Sequence, residues 1–187
     1  YPLSVLMLAK IKDILIIVNK GQVDQFKKVL PNGNNLGIKI TYAEQEKPKG
    51  LPDAFILGEK FINNSSVALI LGDNFFHGQS LVELLSNTSL KFKSGANIFS
   101  YNVKNPQDYG VIETLKNTIK IVEKPKNTKS RKAITGLYFF DQDVSKFSRN
   151  LKYSKRGELE IVDLIKIYMK SKKLLITELG RGSVWLD

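Results

Sequence analysis

The chain has 187 residues, enough for one sizeable core and too few to make two ordinary domains the natural expectation. It carries no cysteine and one histidine, which excludes a disulfide framework, a thiolate metal site and a His-rich zinc site. Its net charge of +11 comes from 29 Lys and Arg against 18 acids. The cations are spread out, with one local cluster from Lys116 to Lys132 that lacks interleaved aromatics, a pattern of solvated faces more than of a nucleic-acid surface.

In chain order, Pro2 to Ile11 is apolar at helical spacing, and Asp13 to Val18 (DILIIV) reads as a strand. Gly21 to Leu30 reads as an amphipathic helix stopped by Pro31, Asn32 and Gly33. Gly37 to Glu44 alternates like a strand, and Leu51 to Phe61 is helical. The run Val67 to Gly78, VALILGDNFFHG, begins as a short apolar strand of the kind buried on both faces. A helix from Ser80 to Leu85 and a strand from Ala96 to Val103 follow. That βαβα rhythm predicts a largely parallel sheet with helices on both faces.

After Pro106 the rhythm changes. Tyr109 to Thr114 and Thr118 to Val122 predict a hairpin around Lys116 and Asn117, and Thr135 to Phe140 (TGLYFF) a further strand. Asp143 to Leu151 and the strongly apolar Leu159 to Met169 read as helices, and Leu174 to Glu178 and Ser183 to Leu186 close as strands. Apolar stretches are interrupted well before the ~20 residues of a membrane span. No signal peptide is visible, so a cytoplasmic protein is expected. The chain opens on Tyr1 and closes on Trp185, Leu186 and Asp187 without polar tails, and reads as an internal piece of a longer protein.

Four segments carry candidate chemistry. Open α/β sheets bind ligands just beyond the carboxyl ends of their strands, where Asp73 stands, able to hold a divalent cation or a sugar hydroxyl; a plain turn aspartate is the alternative. Gln45 to Ala54 (QEKPKGLPDA) joins a strand to a helix. Gln45 offers a base edge both a donor and an acceptor, and Gly50 permits close backbone approach, unless it only relieves a turn. In Val122 to Pro125 (VEKP), Glu123 and Lys124 could clamp a sugar hydroxyl and a phosphate, or form a surface ion couple. In Arg156 to Glu160 (RGELE), Arg156 makes a good phosphate fork and Glu158 an acceptor for hydroxyls, or the acids simply favour a helix start. His77, beside an aromatic pair, reads as structural.

Together YPLSVLMLA, QEKPKGLPDAF, LILGDNFFHG, DYGVIE, VEKP, ITGLYFFD, RGELEIVD and WLD resemble, over essentially the whole chain, the bacterial glucose-1-phosphate thymidylyltransferases. The resemblance implies an α/β nucleotide-diphospho-sugar transferase (Rossmann-like) fold with a mostly parallel central sheet. It divides the chain into a nucleotide-binding part (1–105) and a smaller sugar-binding β region (106–187). It implies a reaction of dTTP with glucose 1-phosphate that gives dTDP-glucose and pyrophosphate, dependent on Mg2+, in dTDP-rhamnose and cell-surface polysaccharide synthesis. By similarity Gln45 and Gly50 bind thymine, and Asp73 sits by the deoxyribose. Asp73 and Asp187 ligate magnesium. Gly110, Glu123, Lys124, Ile134, Tyr138, Arg156 and Glu158 line the sugar-phosphate and product site. A homotetramer of the full-length protein is implied, with neither nucleic acid nor membrane as partner.

The family's glycine-rich GGxGTR loop and following lysine have no counterpart here, so no catalytic residue is assigned. Without that triphosphate cradle the 187-residue chain alone is expected to be inactive. A uridylyl- or cytidylyltransferase of the same fold is the nearer alternative. A glycosyltransferase is more distant, because its usual Asp-x-Asp is here Asp73, Asn74, Phe75. A basic nucleic-acid module ranks last.

Overall fold

Residues 1–116 and 118–187 are described by a computed structural model. Apolar alternation places β1 (Asp13–Asn19) beside β2 (Lys39–Gln45), parallel and in register from Asp13 opposite Lys39 to Asn19 opposite Gln45. Helices α1 (Pro2–Leu8) and α2 (Val23–Val29) flank this pair. Leu6, Ile14, Ile38 and Ile40 form its small core, whereas α2 buries no residue fully.

Among the described residues the main sheet has six strands. These are β3 (Val67–Ile70), β5 (Ala96–Asn102), β6 (Gly110–Leu115), β7 (Thr118–Glu123), β8 (Lys132–Phe140) and β9 (Leu174–Glu178). Their order is β7-β6-β8-β5-β9, with β3 also on β8. A separate ribbon pairs β4 (Phe75–Gly78) antiparallel with β10 (Ser183–Leu186), Phe76 opposite Trp185. The α/β class is as expected, but the sheet is mixed: among the described residues only β1·β2 and β5·β9 are parallel, and β3, β5 and β6 all run antiparallel to β8. Pairing direction depends on partners far apart in sequence, which the local rhythm of elements does not encode.

The strand buried on both faces is β8, not β3. From Ala133 to Phe140 every residue of β8 is buried, whereas all four residues of β3 are only half-buried. Ile134, Tyr138 and Phe140 point into a core with Phe55, Ile98, Val162, Leu164 and Ile165. Ala133, Leu137 and Phe139 point the other way, toward Phe76, Leu85, Phe99 and Trp185. β3 stays half-exposed because, among the described residues, it pairs only with β8 and β1 pairs only with β2. Between β1 and β3 lies a cleft of about 600 Å3, lined by Ile14, Leu15 and Ile17 on one side and Val67, Ala68 and Leu69 on the other.

Other elements differ in extent. The helix expected over Leu51 to Phe61 is two short ones, α3 (Asp53–Leu57) and α4 (Glu59–Ile62), which meet at Gly58 against the Leu15 side chain. Helix α5 runs on from Leu81 to Lys91, well past Leu85. The segment Phe75–Gly78, to which the local pattern assigns no element of its own, is a strand because β10 comes to meet it. Helices α6 (Val144–Arg149) and α7 (Ile161–Lys170) cover one face of the sheet; α7 turns Ile161, Val162, Leu164, Ile165 and Tyr168 inward. The predicted hairpin forms between β6 and β7, with Gly110 opposite Glu123. Its turn residue Asn117 lies outside the described residues.

Candidate functional site

One edge of β8 changes partner partway along. β3 covers it from Phe140 to Leu137, and β6 takes over at Ala133. Between them no strand among the described residues covers the edge, and here the chain leaves β3 through Leu71, whose N–H still reaches the Gly136 carbonyl at 3.0 Å. Gly72 and Asp73 then turn outward, exposed, while Asn74 turns inward and is 1 % exposed.

The Asn74 amide uses its full hydrogen-bonding capacity. Its Oδ1 accepts from the Gly136 N–H at 3.0 Å and from the indole Nε1–H of Trp185 at 2.6 Å. Its Nδ2 donates to Asp73 Oδ1 at 3.0 Å and to Asp187 Oδ1. Two acceptor oxygens sharing one amide nitrogen stand at most about 6 Å apart. The fold thus brings together the two acids expected to meet, one from the end of β3 and one just past β10. Both are exposed, so their remaining oxygens face solvent. Among the described residues no group of three or more His, Asp or Glu gathers for a metal. Two hard carboxylates suit a magnesium ion that completes its octahedron with water and phosphate oxygens, and not one caged by protein.

The sugar-side candidates form a second, adjacent cluster. Arg156 forks onto Glu160, with Nε 3.2 Å from Oε1 and Nη2 3.0 Å from Oε2, and lies 3.4 Å from Glu158 and 4.0 Å from Glu123. The turn that presents it is closed by the Ser154 N–H on the Glu158 carbonyl and by Gly157 at φ +78°. Glu123, at the end of β7, has its carboxyl held above the usual carboxylate range, first by burial and then by Glu160, against the opposing pull of Arg156 and Lys124. Lys124 is exposed, with left-handed backbone (φ +39°) and its N–H on the Tyr109 carbonyl. Ile134 and Tyr138 are buried beneath, on the face of β8 that carries this cluster. Burial pushes the Tyr138 phenol up, and the fields of both Glu123 and Asp187 add to it. Tyr109 packs edge-on against Trp185 at 5.1 Å and also feels Asp187.

The base-side candidates are held differently. Gln45 ends β2, and its Nε2 donates to Asn19 Oδ1 at 3.0 Å. Gly50 packs against the segment just after Arg156: the Leu159 N–H donates to the Lys49 carbonyl at 2.7 Å, and a Cβ on Gly50 would stand 2.8 Å from the Leu159 nitrogen. The loop expected to meet the base therefore rests on the loop expected to meet the sugar phosphate. Among the described residues no hydrogen bond joins Gln45 or Gly50 to the acid pair.

Sequence reading passed over Asn74 and Glu160. Asn74 directly follows Asp73 and Glu160 stands two positions after Glu158, but the burial that marks each as a support is set by the fold.

The glucose-1-phosphate thymidylyltransferase of Neisseria meningitidis serogroup A is 49% identical across the whole chain, and that of Mycolicibacterium smegmatis is 43% identical. The chain spans 65% of the length of each. A solved structure from Bacillus anthracis, assigned as a glucose-1-phosphate thymidylyltransferase and holding a sucrose, superposes with TM-score 0.85 at 34% identity, over 99% of this chain and 74% of that one. A UDP-glucose pyrophosphorylase complexed with UDP-glucose shares the fold at TM-score 0.76 and 23% identity, over 95% of this chain and 76% of that one. The family description "Nucleotidyl transferase" matches residues 1–187 from end to end, and the chain belongs to that family.

Proposed function

We propose that these residues serve the transfer of a thymidylyl group from dTTP to glucose 1-phosphate, giving dTDP-glucose, the precursor of dTDP-rhamnose for surface polysaccharide, and pyrophosphate. The observation that carries this reading is the meeting of Asp73 and Asp187 on one amide, beside the Glu123–Arg156–Glu160 cluster. A phosphoryl-transfer site needs charge neutralisation at the phosphates and a fixed sugar phosphate, and these two clusters supply one each.

In this reading the guanidinium of Arg156 takes the sugar phosphate and Glu123 accepts from sugar hydroxyls, with Lys124 adding charge at the mouth. The phosphate oxygen of the sugar attacks the α-phosphorus in line with the departing pyrophosphate. Asp73 and Asp187 would hold Mg2+, which when bound neutralises charge on the phosphoryl oxygens. Gln45 supplies the donor–acceptor pair for the base edge, and the backbone at Gly50 lies against it. No covalent nucleophile takes part.

The chain's likeness to the UDP-glucose pyrophosphorylase fold keeps a second base in play. Calorimetric titration of the chain with dTDP-glucose, UDP-glucose, CDP-glucose and ADP-glucose separates them without requiring turnover. The dTDP sugar is expected to bind about tenfold more tightly than the others, as far as one methyl and one hydroxyl allow. Equal or tighter binding of UDP-glucose would overturn the base assignment.

A further inference from the structure

We infer that Asn74 is a positioning residue that fixes the spacing of the two carboxylates, acting on the cation through them and not as a ligand itself. The inference rests on the reading of Asp73 and Asp187 as a shared cation site. Asn74 is buried, and its amide can point only one way. Two N–H donors, from Gly136 and Trp185, face Oδ1, and two carboxylate oxygens face Nδ2. Reversing the amide would set NH2 against N–H and oxygen against carboxylate, losing all four bonds.

The four partners come from three places in the chain that share no continuous strand. Gly136 lies in the middle of β8, Trp185 and Asp187 belong to the ribbon strand and its end, and Asp73 follows β3. The β4/β10 ribbon is a separate sheet, joined to the main one by no strand pairing among the described residues. The amide is therefore a polar fastening between them at the point where the two acids must meet. Gly136 is shaped to it, since a Cβ there would stand 2.7 Å from Asn74 Cγ.

Without the shared donor, two exposed carboxylates repel each other, and the hydrogen bond that holds Asp187 beside Asp73 is lost. With it, each keeps one oxygen committed to the amide and one free for a cation. Groups that orient metal ligands in this way change affinity by about 10- to 100-fold when removed.

The test is binding of Mn2+ alone to the 187-residue chain, read by paramagnetic broadening of the 15N-labelled Gly72 and Gly136 amide signals in wild type and variants. Asp73→Asn and Asp187→Asn test the cation site itself, and each should raise the Mn2+ concentration needed for half-broadening at least about tenfold. Asn74→Ala, with both carboxylates intact, should raise it by about 10- to 100-fold. Trp185→Phe removes one of the two donors that orient the amide, and should raise it by about two- to fivefold. A folded Asn74→Ala chain that binds Mn2+ within twofold of wild type overturns the inference, while losses in the two carboxylate variants leave the cation site standing. Should Asn74→Ala fail to fold, wild-type binding by Trp185→Phe overturns it instead. Wild-type binding by both carboxylate variants overturns the cation site and the inference with it.

Discussion

Replacing Gly50 by alanine breaks the contact between the loop assigned to the base and the loop assigned to the sugar phosphate. Gly50 sits at φ +100°, a backbone conformation that costs a residue with a Cβ about 1–3 kcal/mol. The new methyl would overlap the Leu159 backbone, with its nitrogen 2.8 Å away, so the segment leading into α7 must move. Overpacking of this kind costs about 1–3 kcal/mol, and the Leu159 N–H to Lys49 carbonyl bond adds about 1 kcal/mol when it lengthens. A net loss of about 4 kcal/mol follows, which for a domain of this size lowers the melting midpoint by about 8–16 °C. The control is Gly72→Ala, where a Cβ would meet nothing and the backbone is unstrained; its effect should stay within about 0.5 kcal/mol. Thermal and urea denaturation followed by circular dichroism decide the matter. A Gly50→Ala chain that melts within about 2 °C of the parent would refute the stitch between the loops.

Glu123 binds its proton more tightly in the folded chain than in the unfolded one, because burial and Glu160 disfavour the anion. Stability must then fall as pH rises from the unfolded glutamate value, about 4.3, through the higher folded one. Glu123→Gln should remove that decline in urea denaturation run between about pH 4 and pH 8, and an unchanged slope would contradict the assignment. Tyr168, buried against Phe140 and Phe147, donates its hydroxyl to Asp141 Oδ1 at 2.8 Å. Asp141 also accepts from the N–H groups of Gly95 and Asp143 and so keeps partners when that hydroxyl is lost. Tyr168→Phe should therefore cost about 1–2 kcal/mol in the same assay, whereas Asp141→Ala, which orphans several donors at once, should cost more.

Much of the fold is legible in local patterning. The closing strands Leu174–Glu178 and Ser183–Leu186 fall where alternation places them, and the β6–β7 hairpin follows from two short β-branched runs about a turn. Pairing direction is not legible, because nothing in VALI or in TGLYFF states that the two run antiparallel. The strand at Phe75 exists only because Trp185 and Leu186 arrive opposite it from the other end of the chain. The same distance hides part of the site. LGDN presents Asp73 as the chemical residue and leaves Asn74 without an evident task, since both of its oxygen-side partners lie more than sixty positions downstream. Glu160 is masked in another way: at the start of α7 an acid already has a sufficient electrostatic reason to be there.

The cleft between β1 and β3 has a consequence for how the chain behaves in solution. Among the described residues β1 pairs only with β2 and β3 only with β8, and apolar side chains from both line the walls of the opening. Sheet borders of this kind are templates for any extended segment that can add to them. A short β-branched peptide offered in trans is therefore expected to add to the groove and raise the melting temperature, and an unchanged melting temperature would refute this.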